Sequence, residues 1–425
     1  MVGPASQRAA SFARHLPALG WDPLVVTVRC GLYHSDPRNL APAVPTMRTL
    51  CPEPGALVHF MRTGRRASRS SDAPRSIAEG RRSGAGHRAQ RLVRNYAYIP
   101  DGLAGWIPFA VAAIRRALRF VPRPAVLLST SVPYSAHVAA LVAARLENVP
   151  WVAEFRDPWS QIDDQMHSRS SMRKRIDASL EAKVVAGADA LVVTSALTRE
   201  SMAQLYPQVG RERIVLVRNG FEATAIAGAP PPPAEALELV HAGSVRQEVA
   251  IEPLLRGIDR VARSSGHPIR LQVLGPPEPW QRAADAVGGL GWLDIRGVVT
   301  PSTARGAVAR ASAVIILYPG ATKRELVAAK LMDCLGARRP IVGIFSERGE
   351  MATLARAYGD LRLVDPYVDD AISDVVRTLL AEHVAGRLQQ PTCGGNPIDA
   401  LSMSRQVGEL AKAFDTVIGP AADPS

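Results

Sequence analysis

Short apolar runs recur along the chain at 24–28, 125–129, 150–155 and 190–194, and again at 237–242, 269–274, 293–296, 313–317, 341–344 and 362–364. Between them lie stretches with helical spacing, among them 7–19, 103–120, 135–146 and 170–186. Runs this short and this apolar are strands buried on both faces, and alternation with helices makes the sheets parallel and the crossovers helical. A single core stops growing at about 250 to 300 residues, so a 425-residue chain needs two. Pro230 to Pro233 cannot enter a helix or a central strand, and the domain boundary is expected there. The expected organisation is two doubly wound α/β domains, 1–222 and 234–395, followed by a C-terminal helix and tail over 396–425. A doubly wound domain usually opens on a buried strand, yet here a helix is due at Gln7. The first strand of the N-terminal domain is therefore expected upstream, as about five to six apolar residues and a Pro/Gly turn leading into Gly3.

The formal net charge of +12 is unevenly spread, with ten arginines against only Asp72 and Glu79 between Arg62 and Arg94. That low-hydrophobicity segment reads as a basic, disordered loop, which leaves the folded remainder only mildly basic. Lysine is confined to Lys174, Lys183, Lys323, Lys330 and Lys412, so arginine is the default cation, and no aromatic-interleaved basic patch or zinc-type motif accompanies it. Nucleic acid is thus excluded as a partner. Cys30, Cys51, Cys334 and Cys393 lack CxxC spacing, in keeping with a reduced, cytoplasmic compartment. No apolar run approaches the roughly 18 to 20 residues of a membrane span. The basic loop and the 103–120 helix, with Trp106, Phe109, Arg115 and Arg116, could hold the N-terminal domain on an anionic membrane surface at the inner face. A solvated insertion without function explains the same loop.

The densest chemistry lies between 313 and 344. A strand ends in Tyr318-Pro319-Gly320, a loop holds Glu325, and Lys330 opens a helix that stops at Gly336 ahead of Pro340. Seven residues separate Glu325 from Asp333, placing one carboxylate in the loop and the other on the first helical turn. A helix N-terminus offers free N–H groups to a diphosphate, Lys330 adds charge, and Asp333 can accept ribose hydroxyls. The plain structural alternative is that both carboxylates merely complement the helix N-terminus. Gly243, Ser244 and Arg246, after the first strand of the second domain, offer an N–H-lined turn and a cation, though Arg246 suits a solvated loop equally well. His137 stands at a helix start, facing either a cleft or the core. No D-x-D cluster precedes a strand end, so neither a metal nor any other cofactor is expected.

These segments resemble the family-4 type retaining glycosyltransferases of GT-B fold, in a bacterial polysaccharide-associated branch. Glu325-x7-Asp333 is similar to the family's E-x7-E signature with Asp for the second Glu, and 330–340 resembles K-L-x-E-Y-L-A-x-G-x-P. The stretch 150–159 resembles P-W-V-x-D-F-R-D-P-W, 20–27 resembles G-W-x-x-x-V-L-T, and 188–189, 194–195, 219–221 and 241–244 recur in order. The resemblance implies two Rossmann-like domains facing across a cleft, with the acceptor on the first and a nucleotide-diphosphate sugar on the second. It implies that Glu325 holds the donor sugar, Asp333 the ribose, and Lys330 and Arg246 the departing diphosphate, in metal-independent front-face transfer. Many relatives carry a His where Arg156 and Asp157 stand, so one of these would orient substrate, unless Arg156 only braces the strand end by pairing with Asp157 or Glu154. A lysine common in relatives is replaced by Ile251. Gly3 and Arg8 would approach the acceptor and phosphates, and Trp159 would stack on a sugar or pack beside Pro158. The acceptor is expected to be a glycan, a lipid-linked sugar or a small molecule. Two rivals stand: a nucleotide-sugar 2-epimerase of the same fold, and a catalytically inactive scaffold that binds a partner.

Overall fold

The computed structural model describes residues 4–29, 44–52, 99–157, 159–160, 170–225, 230–245, 251–318, 324–392 and 394–419. The chain divides into two units, the first comprising 1–194, 198–217 and 407–425, the second 195–197 and 218–406.

In the first unit, helix α1 (Pro4–His15) is followed by β1 (Val25–Val28), which pairs in parallel with β2 (Thr46–Thr49). Then come α2 (Ile107–Leu118), β3 (Leu127–Thr130), α3 (Ser135–Glu147), β4 (Trp151–Phe155), α4 (Ser171–Gly187), β5 (Ala190–Val193), α5 (Ala196–Leu205) and β6 (Ile214–Leu216). Strands β3 to β6 form a parallel sheet in sequence order, as right-handed helical crossovers dictate. All five residues of β4 are buried, which explains its uninterrupted apolar run apart from Glu154. Ser170 caps α4 by accepting the Arg173 amide at 3.3 Å, and Asn148 ends α3 in the left-handed conformation that Asn tolerates.

Glu154 is buried with Arg8, whose Nε donates to its Oε1 at 2.7 Å while Nη2 donates to the Val217 carbonyl at 2.7 Å. The Arg8 guanidinium also lies 4.7 Å from the Phe12 ring centroid. One pair thereby ties α1 to β4 and to the chain leaving β6. Near the other end of the sequence, Phe414 meets Trp21 edge-on at 5.1 Å.

The second unit runs β7 (Leu237–Ala242), α6 (Ile251–Ser264), β8 (Ile269–Leu274), α7 (Glu278–Val287), β9 (Leu293–Ile295), α8 (Pro301–Arg310), β10 (Ala313–Leu317), α9 (Ala329–Gly336), β11 (Ile341–Ile344), α10 (Glu350–Tyr358), β12 (Leu361–Leu363) and α11 (Ala371–Val384). A last helix, α12, spans Met403–Ile418. The six strands are parallel in the order β12-β11-β10-β7-β8-β9, a doubly wound sheet whose order reverses between β7 and β10. Side chains alternate between two cores. Leu237, Leu239, Leu271, Ile315 and Leu317 pack beneath α6 and α11, whereas Val240, Val314 and Ile316 pack with Leu331 and Leu335 of α9.

The units separate at Val217, upstream of Pro230 to Pro233, which lie within the second unit. The reason is local: Phe221 donates to the Leu401 carbonyl at 3.1 Å and accepts from the Met403 amide at 2.9 Å, so the chain is already bound into the second unit before the prolines. Two strands escaped the sequence reading. Thr46–Thr49 is polar and half-exposed, and Ile214–Leu216 has only three residues at a sheet edge. Trp106, expected at a membrane surface, is buried and donates its Nε1–H to Thr49 Oγ1 at 2.7 Å, while Phe109 packs in the same small core. The basic segment 62–94 lies outside the described residues. No helix among the described residues is long and apolar enough to cross a membrane.

Removing one partner of a buried ion pair leaves the other charged and unsolvated, at a cost of about 3–5 kcal/mol. Arg8→Met is therefore expected to lower the first unit's unfolding free energy, read from urea denaturation, by that amount, and adding Glu154→Leu should recover most of the loss. Additive destabilisation in the double variant would show that the pair is not the strut described.

Candidate active site

A polar arrangement of the second unit lies where its strand order reverses. Crossovers from β7 and β10 run to opposite faces, which makes this the switch point of the sheet, where ligands of such folds bind. Gly243 follows β7 at φ +109, a conformation that strains any side chain, and its amide donates to the Leu274 carbonyl at 2.8 Å. A Cβ built on Gly275 would collide with the Gly243 carbonyl, and one on Gly243 would press Lys330 Nζ at 3.4 Å. Two glycines thus let the turn settle between β8 and the start of α9. From there Lys330 donates to the Ser244 carbonyl at 3.3 Å. Burial lowers the Lys330 ammonium from 10.5 to about 8.

Beneath the turn, His241 is fully buried, and its Nδ1–H donates to the Ile315 carbonyl at 3.0 Å, a side-chain link between β7 and β10. Its ring is tilted against Trp280 at 5.0 Å. Burial, and then the charge of Lys330, push its pKa down to about 3, so the imidazole is neutral. Sequence reasoning recorded His241 only as part of a resemblance; a polar residue inside an otherwise apolar strand was the available signal.

Asp333 is the fifth residue of α9, in its second turn rather than the first, because the helix begins at Ala329. Burial raises its pKa from 3.8 to about 6, with Arg305 opposing and Glu222 adding to the shift. Lys330 and Asp333 therefore share a helix but face different neighbours, Gly243 and Ser244 for one, Arg305 and Glu222 for the other. Glu325 is half-buried in the turn before α9. That turn is anchored by Arg324, whose Nε donates to the Arg348 carbonyl at 3.1 Å and whose own carbonyl accepts the Glu350 amide at 2.9 Å. Gly3 and Arg246 lie outside the described residues.

The first unit places its candidates differently. Arg156, at the end of β4, donates from Nε to the Ser131 carbonyl and from Nη2 to the Val132 carbonyl at 2.9 Å, while its own carbonyl accepts from Thr194 Oγ1 at 2.8 Å. It fastens a loop by hydrogen bonds, and of the two carboxylates considered for it, Asp157 and Glu154, the latter holds Arg8. Asp157 is half-buried beside it. His137 is buried, 2.7 Å from Ser129 Oγ and 4.7 Å from the Phe155 ring. Burial and the Arg156 charge hold its pKa near about 3. Trp151 Nε1–H also donates to Ser129 Oγ, at 2.8 Å, so the histidine is part of a buried polar cluster in the core. Trp159 stacks on Tyr134 at 4.5 Å and 8° and is 2% exposed, leaving no ring face for a sugar. Arg8 is likewise committed to Glu154. Burial removes His137, Trp159 and Arg8 from direct contact with an acceptor, since each already has a packing or charge partner.

Solved structures share the two-unit architecture at low identity. A glycosyltransferase from Rickettsia africae superposes with a TM-score of 0.58 and 9% identity, over 98% of this chain and 95% of that one. Anabaena HepE in complex with UDP-glucose gives 0.54 and 11% over 98% and 94%. The N-terminal domain of Candida albicans trehalose-6-phosphate phosphatase gives 0.55 and 11% over 94% and 97%. These likenesses establish the fold, that of GT-B glycosyltransferases. No protein of curated function matches the sequence. Residues 3–220, more than half of the chain, match the glycosyl transferase 4-like domain, and the protein belongs to that family.

Proposed function

We propose that the protein is a retaining glycosyltransferase that moves a sugar from a nucleotide-diphosphate donor to a glycan, a lipid-linked sugar or a small acceptor. The observation that carries this reading is the approach of Lys330 to the Gly243–Ser244 turn at the strand reversal, which puts a cation beside glycine backbone and a helix N-terminus. Such a site answers the charge that builds on a departing diphosphate, the largest single term in many transfers of this kind. In this reading Lys330, Gly243, Ser244 and Arg246 receive the diphosphate, Asp333 the ribose hydroxyls and Glu325 the sugar hydroxyls. Arg156 and Asp157 serve the acceptor side from the first unit. The Lys330 ammonium supplies the positive charge that a divalent ion would otherwise bring, so transfer needs no metal. A nucleotide bound to the HepE neighbour makes uridine diphosphate sugars the first donors to test. An acceptor of bacterial polysaccharide assembly, met at the inner face of a membrane, fits the arginine-rich 62–94 segment.

Incubation with labelled nucleotide sugars, with and without a lipid extract, is expected to give a labelled acceptor; epimerised free donor, or binding alone, would replace this reading. Glu325→Ala and Lys330→Ala should each reduce transfer by at least about 10²-fold while leaving the unfolding midpoint near that of the parent. Wild-type turnover in either variant would remove the site assignment. EDTA should leave the rate unchanged, and loss that manganese restores would count against the cation role of Lys330.

The pH profile follows from the two perturbed groups. Asp333 must be ionised to accept hydroxyls and Lys330 protonated to meet phosphate, so kcat/KM for the donor should rise through about pH 6 and fall through about pH 8. Asp333→Asn should abolish the acid limb, and Lys330→Arg should move the alkaline limb upward. A profile flat between pH 5 and 9 would show that neither group acts in the free enzyme.

A further inference from the structure

At the amino edge of the six-stranded sheet, opposite the Lys330 turn, two histidines meet. His383 closes the last turn of α11 and is 4% exposed. Its Nε2 lies 3.2 Å from the Ala234 carbonyl. A carbonyl only accepts, so Nε2 carries the proton and Nδ1 of the neutral ring is a bare lone pair. That nitrogen is buried without a hydrogen-bond partner. His267, in the loop between α6 and β8, packs against it with ring centroids 5.1 Å apart and planes at 60°. Its Nε2 is also buried and unpartnered. Burial lowers the His383 pKa, the Ala234 bond opposes this, and His267 lowers it further while Glu235 raises it. His383 thus holds one fixed lone pair, with the Glu235 carboxylate within electrostatic reach.

Buried polar atoms nearly always find a partner, and two orphans side by side point to a shared one. Imidazole nitrogen binds borderline divalent cations at about 2.0–2.1 Å when it is unprotonated, the state that the Ala234 bond imposes on His383. We propose that His267 and His383 together bind a borderline divalent transition-metal cation, of which zinc is the probe, with water completing its coordination. Among the described residues no three His, Cys, Asp or Glu groups converge on a metal position, so the site has two protein ligands and exchanges its ion readily. It would join the end of α11 to the entry of β8 and, through Ala234, to the chain entering β7. Its effect is on the firmness of the second unit and not on donor chemistry, so it stands or falls independently of the proposed transfer.

The test is calorimetric titration of the full-length, chelator-washed protein with zinc chloride at pH 7.5, alongside His383→Phe and His267→Asn. One equivalent is expected on the parent, accompanied by a rise in Tm, and both variants should lose it. Cobalt in place of zinc should give visible d–d absorption on the parent that is missing from each variant. His267→Asn lies in a surface loop and keeps the test decisive should His383→Phe fold poorly, and uridine diphosphate binding should be the same in all three proteins. No binding to the parent, or an equal stoichiometry in the parent and His267→Asn, would overturn the proposal and leave the pair bridged by water or bonded ring to ring.

Discussion

The reversal of strand order between β7 and β10 is the constraint on which the second unit's chemistry depends. Neighbouring parallel strands normally send their crossovers to the same face, and their loops crowd together. At the reversal they part, which is where sheets of this kind place their ligands. The fold must then hold two strands together where no helix bridges them. His241 does so from within β7 by bonding the Ile315 carbonyl of β10, and its neutrality avoids placing a buried charge under Lys330. The missing side chains of Gly243 and Gly275 allow the turn to lie close to β8, and this closeness brings the Ser244 carbonyl to the lysine.

The first unit shows the opposite use of polar groups. Glu154 occupies the middle of a fully buried strand, and a lone carboxylate there would be untenable. Arg8 neutralises it, and Phe12 and the Val217 carbonyl take up the rest of the guanidinium. Arg156 spends its donors on main-chain carbonyls of the 131–132 loop. The Arg8–Glu154 pair and the guanidinium bonds of Arg156 therefore add cohesion within the first unit.

How far the sequence could be read depended on what each residue reports. Ile341–Ile344 and Ala313–Leu317 were legible to the residue, because burial on both faces leaves no polar interruption. Thr46–Thr49 was not, since a half-exposed strand of threonines looks like a loop. The Glu325 to Asp333 spacing located the right loop and helix, but the helix starts at Ala329 and carries Asp333 a turn deeper, toward Arg305 and Glu222. Trp159 and His137 carry π faces and titratable nitrogens whether buried or not, and only the packing against Tyr134 and the Ser129 bond reveals them as core. The role of His241 depends on a carbonyl 74 positions away, a pairing that no local pattern encodes.

The first unit takes in residues from both ends of the chain, since 407–425 belong to it and Phe414 covers Trp21. During synthesis that surface stays bare until α12 leaves the ribosome, so the first unit waits for that helix while the second unit already holds most of its sheet. A fragment cut after the 3–220 family match would lack its own final helix and expose apolar surface to aggregation. Any division of the chain for study has to keep residues 407–425 with the first unit.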